Sequence, residues 1–290
     1  MSIKGVWLLI NAVIFSVSCA TPPPTSHTAV ASSVELPAPK EKGSAYPVFV
    51  RQVNDEYLQT IPSSDHLVIV GISGFHGIDT LMSDGSYRIG QESVEAALLD
   101  AARKLAMYEK ATAVTAENKM DIGMSIFDYV NDSSSSVEPA GDYAVYMKDF
   151  EFEPEHDIFV GIKTQTVFVR VRYSSPDIPF IDFTPSMAGS RPSWITNPPE
   201  TIAGFSVGVG FANPRVLMKE AIISSYENAA CDLAWRRSVA VNANFADAGV
   251  DSRTNIKVVT NVSLHKFYVL ETWIDPKDLS VYTLAIAKKE

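Results

Sequence analysis

Val207-Gly208-Val209-Gly210-Phe211, followed downstream by Asn228-Ala229-Ala230-Cys231-Asp232-Leu233-Ala234, couples a strand with alternating glycines to an alanine-rich helix. Glycines in a strand let another backbone approach closely, and alanines let a helix accept that approach. The same pair of signals occurs once before in the chain. There Val70-Gly71-Ile72-Ser73-Gly74-Phe75 precedes Asp100-Ala101-Ala102-Arg103-Lys104-Leu105-Ala106, with the helix segments matching at an offset of 128 residues. The strand offset is longer, so the first copy carries extra residues, roughly His76 to Ile89, between strand and helix. Downstream, Ala111-Thr112-Ala113-Val114 corresponds to Val239-Ala240-Val241, and each copy ends in alternating strands. Strand, helix, strands, read twice, predicts an α+β fold: two related small domains, each an antiparallel or mixed sheet with one amphipathic helix packed on a face.

The helices follow from spacing. Val94, Leu98, Ala101, Ala102 and Leu105 recur at three and four residues, as do Ile222, Tyr226, Ala229, Ala230 and Leu233, which places each set on one helical face. Asn213-Pro214 supplies an N-cap and a proline at the first helical position, and after Arg236-Arg237 the period shortens toward two. Phe267 to Ile274 and Ser280 to Ala287 alternate around Asp275-Pro276-Lys277-Asp278, a C-terminal hairpin. In the first copy Tyr143 to Phe152 and Ile158 to Tyr173 read as the closing strands. Asn118 to Asp142, with its serine run, and Ala246 to Arg253 read as loops. The division is therefore a first repeat over 45–174, a linker over 175–191 and a second repeat over 192–290. That linker holds four prolines but also Ile178, Phe180, Ile181 and Phe183, so it docks in part on a neighbour.

The N-terminus reads as an address. Lys4 is followed by Val6-Trp7-Leu8-Leu9-Ile10 and Ala12-Val13-Ile14-Phe15, then by Ser16-Val17-Ser18-Cys19. The apolar run is short of the ~20 residues that cross a bilayer, as in a secretion signal over residues 1–18. Small residues leading into a cysteine resemble the bacterial lipobox, in which that cysteine is lipidated and becomes the first residue. Ser16 stands where the lipobox usually has leucine, and an ordinary signal peptide cleaved near Ser18 or Ala20 is the alternative. Lipidation at Cys19 implies palmitate-type acyl chains, and multiple chains anchor stably. Ala20 after the cysteine implies, by the sorting rule of such lipoproteins, the periplasmic face of the outer membrane. Residues 19–44 form the tether: Pro22-Pro23-Pro24, Pro37, Pro39 and many Ser and Thr leave little to bury. Extended at ~3.1 Å per residue, it reaches up to ~70 Å.

Pro192-Ser193-Trp194-Ile195, Asn197-Pro198-Pro199, the Val-Gly-x-Gly strand and the helix ending Ala-x-x-Leu-Ala together resemble the Lpp-twenty-type outer-membrane lipoprotein family. That family is similar to domains of the flagellar proteins FlgP and FlgT, which build disks and rings around the motor. The second copy carries the resemblance; the first offers only Pro47-Val48-Phe49-Val50 in place of the Trp segment. The resemblance implies an envelope location and a structural or assembly role. It carries over no catalytic residue.

Composition narrows the chemistry. The chain has 290 residues, 46% of them hydrophobic and 20% charged, with a net charge of -10 and no basic block, which argues against a nucleic-acid partner. Two cysteines, Cys19 and Cys231, and five scattered histidines offer no zinc-site spacing and no disulfide framework. Gly208-Val209-Gly210 lacks the third glycine of a dinucleotide loop, so its glycines read as packing residues and no cofactor is expected. Asp149, Glu151, Glu153, Glu155 and Asp157, with His156, stand at every second residue, and with Phe150 and Phe152 on the other face they read as the solvated side of a strand up to Pro154 rather than a metal site. No Gly-x-Ser-x-Gly elbow is present, and no catalytic residue is assigned. Cys231 reads as a small core or boundary residue rather than a reactive thiol, and Trp194, Trp235 and Trp273 as core residues rather than interface anchors. The functional expectation is a non-enzymatic, outer-membrane-anchored periplasmic lipoprotein with a structural or assembly role, flagellum-associated or otherwise. Its partners would be the membrane through Cys19 and other envelope proteins, with homo-oligomerisation open. The alternative is a regulator that reaches out to activate a peptidoglycan synthase.

Overall fold

In both halves the glycine strand lies under the alanine-rich helix. The computed structural model describes residues 46–47, 49–51, 58–76, 79–81, 87–120, 134–139, 141–161, 164–175, 177–179, 181–187, 190–242 and 255–288. In chain order the elements are β1 (Tyr46–Pro47), β2 (Phe49–Arg51), β3 (His66–Gly74), β4 (Thr80–Leu81), β5 (Tyr87–Ile89), α1 (Gln91–Glu109), β6 (Ala111–Met120) and β7 (Ser134–Pro139). A 3-10 helix (Tyr143–Asp149) then leads to α2 (Pro154–Asp157), β8 (Ile158–Gly161) and β9 (Thr166–Ser174). A second 3-10 helix (Ser193–Ile195) precedes β10 (Thr201–Ile202), β11 (Phe205–Ala212), α3 (Met218–Asn242), β12 (Asn255–Leu264), β13 (Tyr268–Ile274) and β14 (Val281–Ala287).

The fold is α+β. One sheet runs β2-β8-β9-β3 and another β10-β11-β14-β13. Within them β8-β9-β3 and β13-β14-β11 have the same order, each strand antiparallel to the next. The shared order follows from two copies of one strand-helix-strands plan. A third sheet, β12-β6-β7, joins the halves. Its central strand β6 is antiparallel to both neighbours, and Ala111 stands opposite Pro139 on one side and Leu264 on the other. The second half therefore completes a sheet begun by the first. A small sheet, β1-β5-β4, is built partly from the extra residues of the first copy.

Helix–strand packing fixes how the copies correspond. A β-carbon on Gly71 would fall on the Ala97 carbonyl, and one on Gly208 would fall on the Ala229 carbonyl. Ala97 is therefore the counterpart of Ala229, an offset of 132 rather than 128. The correction is one helical turn. Alanine pairs recur along these helices at turn spacing, so their likeness does not choose the turn; the glycine contact does.

Tyr143 to Phe152 is not a strand: Asp142 caps the 3-10 helix by accepting from the Ala144 amide at 3.1 Å, and only Glu151 bridges to Arg172. The proposed loop Asn118 to Asp142 holds the end of β6 and all of β7, with Ser134, Ser135 and Ser136 paired to β6. Helix α3 starts at Met218, four residues after Pro214, and continues through Val239-Ala240-Val241 to Asn242. The strand expected there is instead β12. The Ala246 to Arg253 loop lies outside the described residues.

One core unites the halves. Leu67, Ile69, Leu98, Leu105 and Val169 from the first half cluster with Trp194, Val207, Tyr268, Leu284 and Ile286 from the second. Side chains of this size contribute roughly 1.5–3 kcal/mol each when fully buried. A second cluster packs Met107, Ala111 and Val137 against Ala229, Cys231, Leu233 and Phe267.

Candidate functional site

The lipidation residue read from the sequence, Cys19, lies outside the described residues, as do the 1–18 signal and the 19–44 tether. Among the described residues no helix is long and apolar enough to cross a membrane.

The densest polar arrangement lies between α1 and α3. Asp100 Oδ2 accepts from the Ile72 amide at 3.1 Å and pairs with Lys104 at 2.8 Å, while its Oδ1 accepts from the Tyr226 hydroxyl at 3.1 Å. Lys104 also donates to the Val70 carbonyl at 2.7 Å. Arg103 donates to the Tyr226 oxygen at 2.7 Å, to Glu227 at 2.6 Å and to the Val137 carbonyl at 3.1 Å. Burial pushes the Tyr226 hydroxyl well above its ordinary pKa, and the adjacent Asp100 carboxylate adds to that.

The second copy repeats the arrangement. Asp232 accepts from the Val209 amide at 3.0 Å and from Arg236 at 3.0 Å. At the corrected offset both helices carry the pattern Ser-x-Glu-x-Ala-x-x-Asp-x-Ala, followed by a cation four residues after the aspartate: Ser93 to Lys104 and Ser225 to Arg236. Both serines are fully buried. Sequence reading missed these residues, yet the signal was available as a carboxylate with an i+4 cation in each helix.

These groups close sheet edges. β3 is an edge strand, and its outward groups are taken by side chains at alternate residues. Tyr268 binds the Val68 amide and carbonyl, Lys104 the Val70 carbonyl and Asp100 the Ile72 amide. On β11 the same work is divided among β10, Asp232 and Asn228, whose amide donates to the Phe211 carbonyl at 2.7 Å. Unpaired edges are templates for aggregation, and side-chain closure removes them. Burial also raises the Tyr268 pKa. Between β3 and β13 lies a cavity of about 30 Å³ lined by Thr60, Lys104, Tyr268 and Thr272 among others. It has room for a water molecule, whereas metabolite pockets measure roughly 300–1,000 Å³.

The proline-rich segment after β9 acts as a strap on the open face of the second sheet. Tyr108 and Lys266 hold Asp177, the latter by a 2.8 Å ion pair, and the bond from Lys266 keeps the Asp177 carboxyl below its usual range. Farther along, the buried Glu271 carboxylate accepts from Ser186 Oγ at 3.1 Å and from Trp194 Nε1 at 3.0 Å. Ile181 and Trp194 are buried beneath, with Ile178 and Phe183 packed beside them. Trp194 and Trp273 are core residues, as their number suggested, and Cys231 is buried. Trp235 is only half-buried.

The acidic run forms no strand up to Pro154: Asp149 ends the 3-10 helix and only Glu151 bridges to Arg172. Asp157 is fully buried, accepting from Arg170 at 2.8 Å and from the Glu153 amide at 2.8 Å, with Arg172 at 3.3 Å. The carboxylate is drawn inward because Pro154 starts a short helix that turns residue 157 toward the β9 arginines. Gly208 and Gly210 pack on α3, as their spacing suggested. Among the described residues no group of three or more His, Cys, Asp or Glu side chains is placed to hold a metal ion.

One loop exposes apolar side chains instead of burying them: Phe211 at the end of β11, then Val216 and Leu217 just before α3. Comparison with family models, with curated proteins and with solved structures finds no match to this chain.

Proposed function

We propose that this chain is a lipoprotein anchored by Cys19 to the periplasmic face of the outer membrane, with a non-enzymatic structural or assembly role in an envelope complex. The observation that carries the reading is Ser16-Val17-Ser18-Cys19 closing a short apolar run, with a proline-rich tether ahead of the folded part. The polar groups of the fold support it. Asp100, Asp232, Asp157 and Glu271 are each engaged in holding strands, helices or the strap. The likeness of the Trp194 segment and the glycine strand to the Lpp-twenty-type family supports an envelope setting, flagellar or otherwise.

The test is affinity purification of the tagged protein from gently cross-linked cells, with mass-spectrometric identification of what accompanies it. Flagellar basal-body or outer-membrane scaffold proteins are the expected companions. Recovery of the protein only as a monomer without partners contradicts the reading. The tether favours one rival, a regulator that reaches a peptidoglycan synthase. That rival requires length sensitivity, so deletion of residues 22–42 without a phenotype removes it.

A further inference from the structure

We infer that the loop between β11 and α3 is a membrane-contact surface, with Val216 and Leu217 seated in the bilayer to which the tether leads. The inference rests on the membrane-anchored reading above. Val216 is fully exposed, and Leu217 and Phe211 are 45% and 43% exposed, all within one short segment. Leu99, Val145 and Met187, the other large apolar side chains exposed among the described residues, each stand in a different element. Water-facing valine and leucine at a loop tip gain nothing in a free domain, whereas seated in hydrocarbon each loses apolar surface to water.

Charge favours lipid as the occupant. Residues 213–220 read Asn-Pro-Arg-Val-Leu-Met-Lys-Glu, so Arg215 and Lys219 flank the apolar pair in a chain of net charge -10. Arg191 lies 5.9 Å over the Tyr282 ring, which is 5.1 Å from the Phe211 ring. Arg215, exposed beside the apolar pair, matches the anionic headgroups above an acyl region, while Lys219 is half-buried along Gly74 and the exposed Glu220 is the one acid in the stretch. Reach favours it as well. A folded part of this size has a radius of gyration of about 18 Å, so a tether of up to ~70 Å lets any face meet the membrane. Tethering raises the effective concentration to the millimolar range, where a weak contact is occupied.

The experiment places an environment-sensitive fluorophore at Leu217→Cys or Val145→Cys in the full chain, with and without Cys19→Ala. Each protein meets vesicles of phosphatidylethanolamine and phosphatidylglycerol, plain or carrying spin-labelled acyl chains. The expected result is a blue shift and quenching at position 217 and none at 145. In the Cys19→Ala chain, the same probe at 217 should partition to vesicles about tenfold less well when Val216→Asp is added. Acyl chains present by intact mass with an unshifted probe at 217 overturn this inference and leave the anchor standing. Acyl chains absent from the chain that keeps Cys19, with the 217 probe still quenched in the Cys19→Ala chain, overturn the anchor and leave the loop contact. A shift at 217 that requires added envelope protein instead of lipid identifies protein docking and overturns the membrane contact.

Discussion

Gly71 and Gly210 are where single atoms decide the packing. A β-carbon at either would fall on a carbonyl of the overlying helix, Ala97 in one case and Ser225 in the other, and backbone does not move aside cheaply. Gly71→Ala and Gly210→Ala are each expected to cost about 3 kcal/mol or more in urea unfolding. Gly74→Ala meets only the Lys219 side-chain tail at 3.5 Å and should fall within about 0.5 kcal/mol of the parent. The paired aspartates separate in the same assay. Asp100 and Lys104 are almost fully buried, so Asp100→Ala leaves a cation and an amide unpaired and should cost about 3–5 kcal/mol. Asp232 and Arg236 are 27% and 47% exposed, and Asp232→Ala should cost about 1 kcal/mol. Equal losses at the two positions would contradict the assignment. The buried hydroxyls of Tyr226 and Tyr268 have raised pKa values, chiefly through burial. Their contribution is complete below the ordinary value near pH 10 and is lost as pH rises beyond it. Stability should therefore fall above about pH 10 by about 1.4 kcal/mol per pH unit for each tyrosine. A pH-independent urea midpoint between pH 10 and 11.5 would refute this.

At the level of elements, the helices and the C-terminal hairpin were legible because their information is local. Val94, Leu98 and Leu105 recur at the helical period, and Phe267 to Ala287 alternates about a turn; all of these are met by the described structure. What local pattern left out was set by distant partners. Alternation at Phe150 and Phe152 suggested a strand, but Asp142 caps a 3-10 helix and Arg170 draws Asp157 inward. The serine run looked like a loop, yet β6 supplies a hydrogen-bonding neighbour that no propensity records. The helix correspondence slipped by one turn because alanines are alike, whereas the glycine-to-carbonyl approach is specific to one turn. The Asp100 and Asp232 arrangements had a local signal, the cation four residues on in each helix, but the strand amides they bind, Ile72 and Val209, are set by the helix-on-strand packing. The strap's docking was foreseen from Ile178 and Ile181, but its hold on Glu271 depends on a residue far along the chain.

For the whole molecule, the shared sheet makes the halves interdependent. β12 belongs to the second half but its described neighbour is β6 of the first, and one core contains residues of both. Expressed separately, 45–191 and 192–290 should each be poorly soluble and should show amide exchange far faster than the intact chain, while co-expression restores protection. Independent, cooperatively folding halves would contradict that interdependence. The central functional proposal is the anchor at Cys19, which would position this folded unit at the membrane. Its most direct test is mass spectrometry of the N-terminal peptide from the mature protein, alongside fractionation of a Cys19→Ala variant. The account predicts a peptide that begins at Cys19 and carries acyl chains, with the variant released from the outer membrane. A mature chain beginning at Ala20 or later, or an unmodified Cys19, would contradict it.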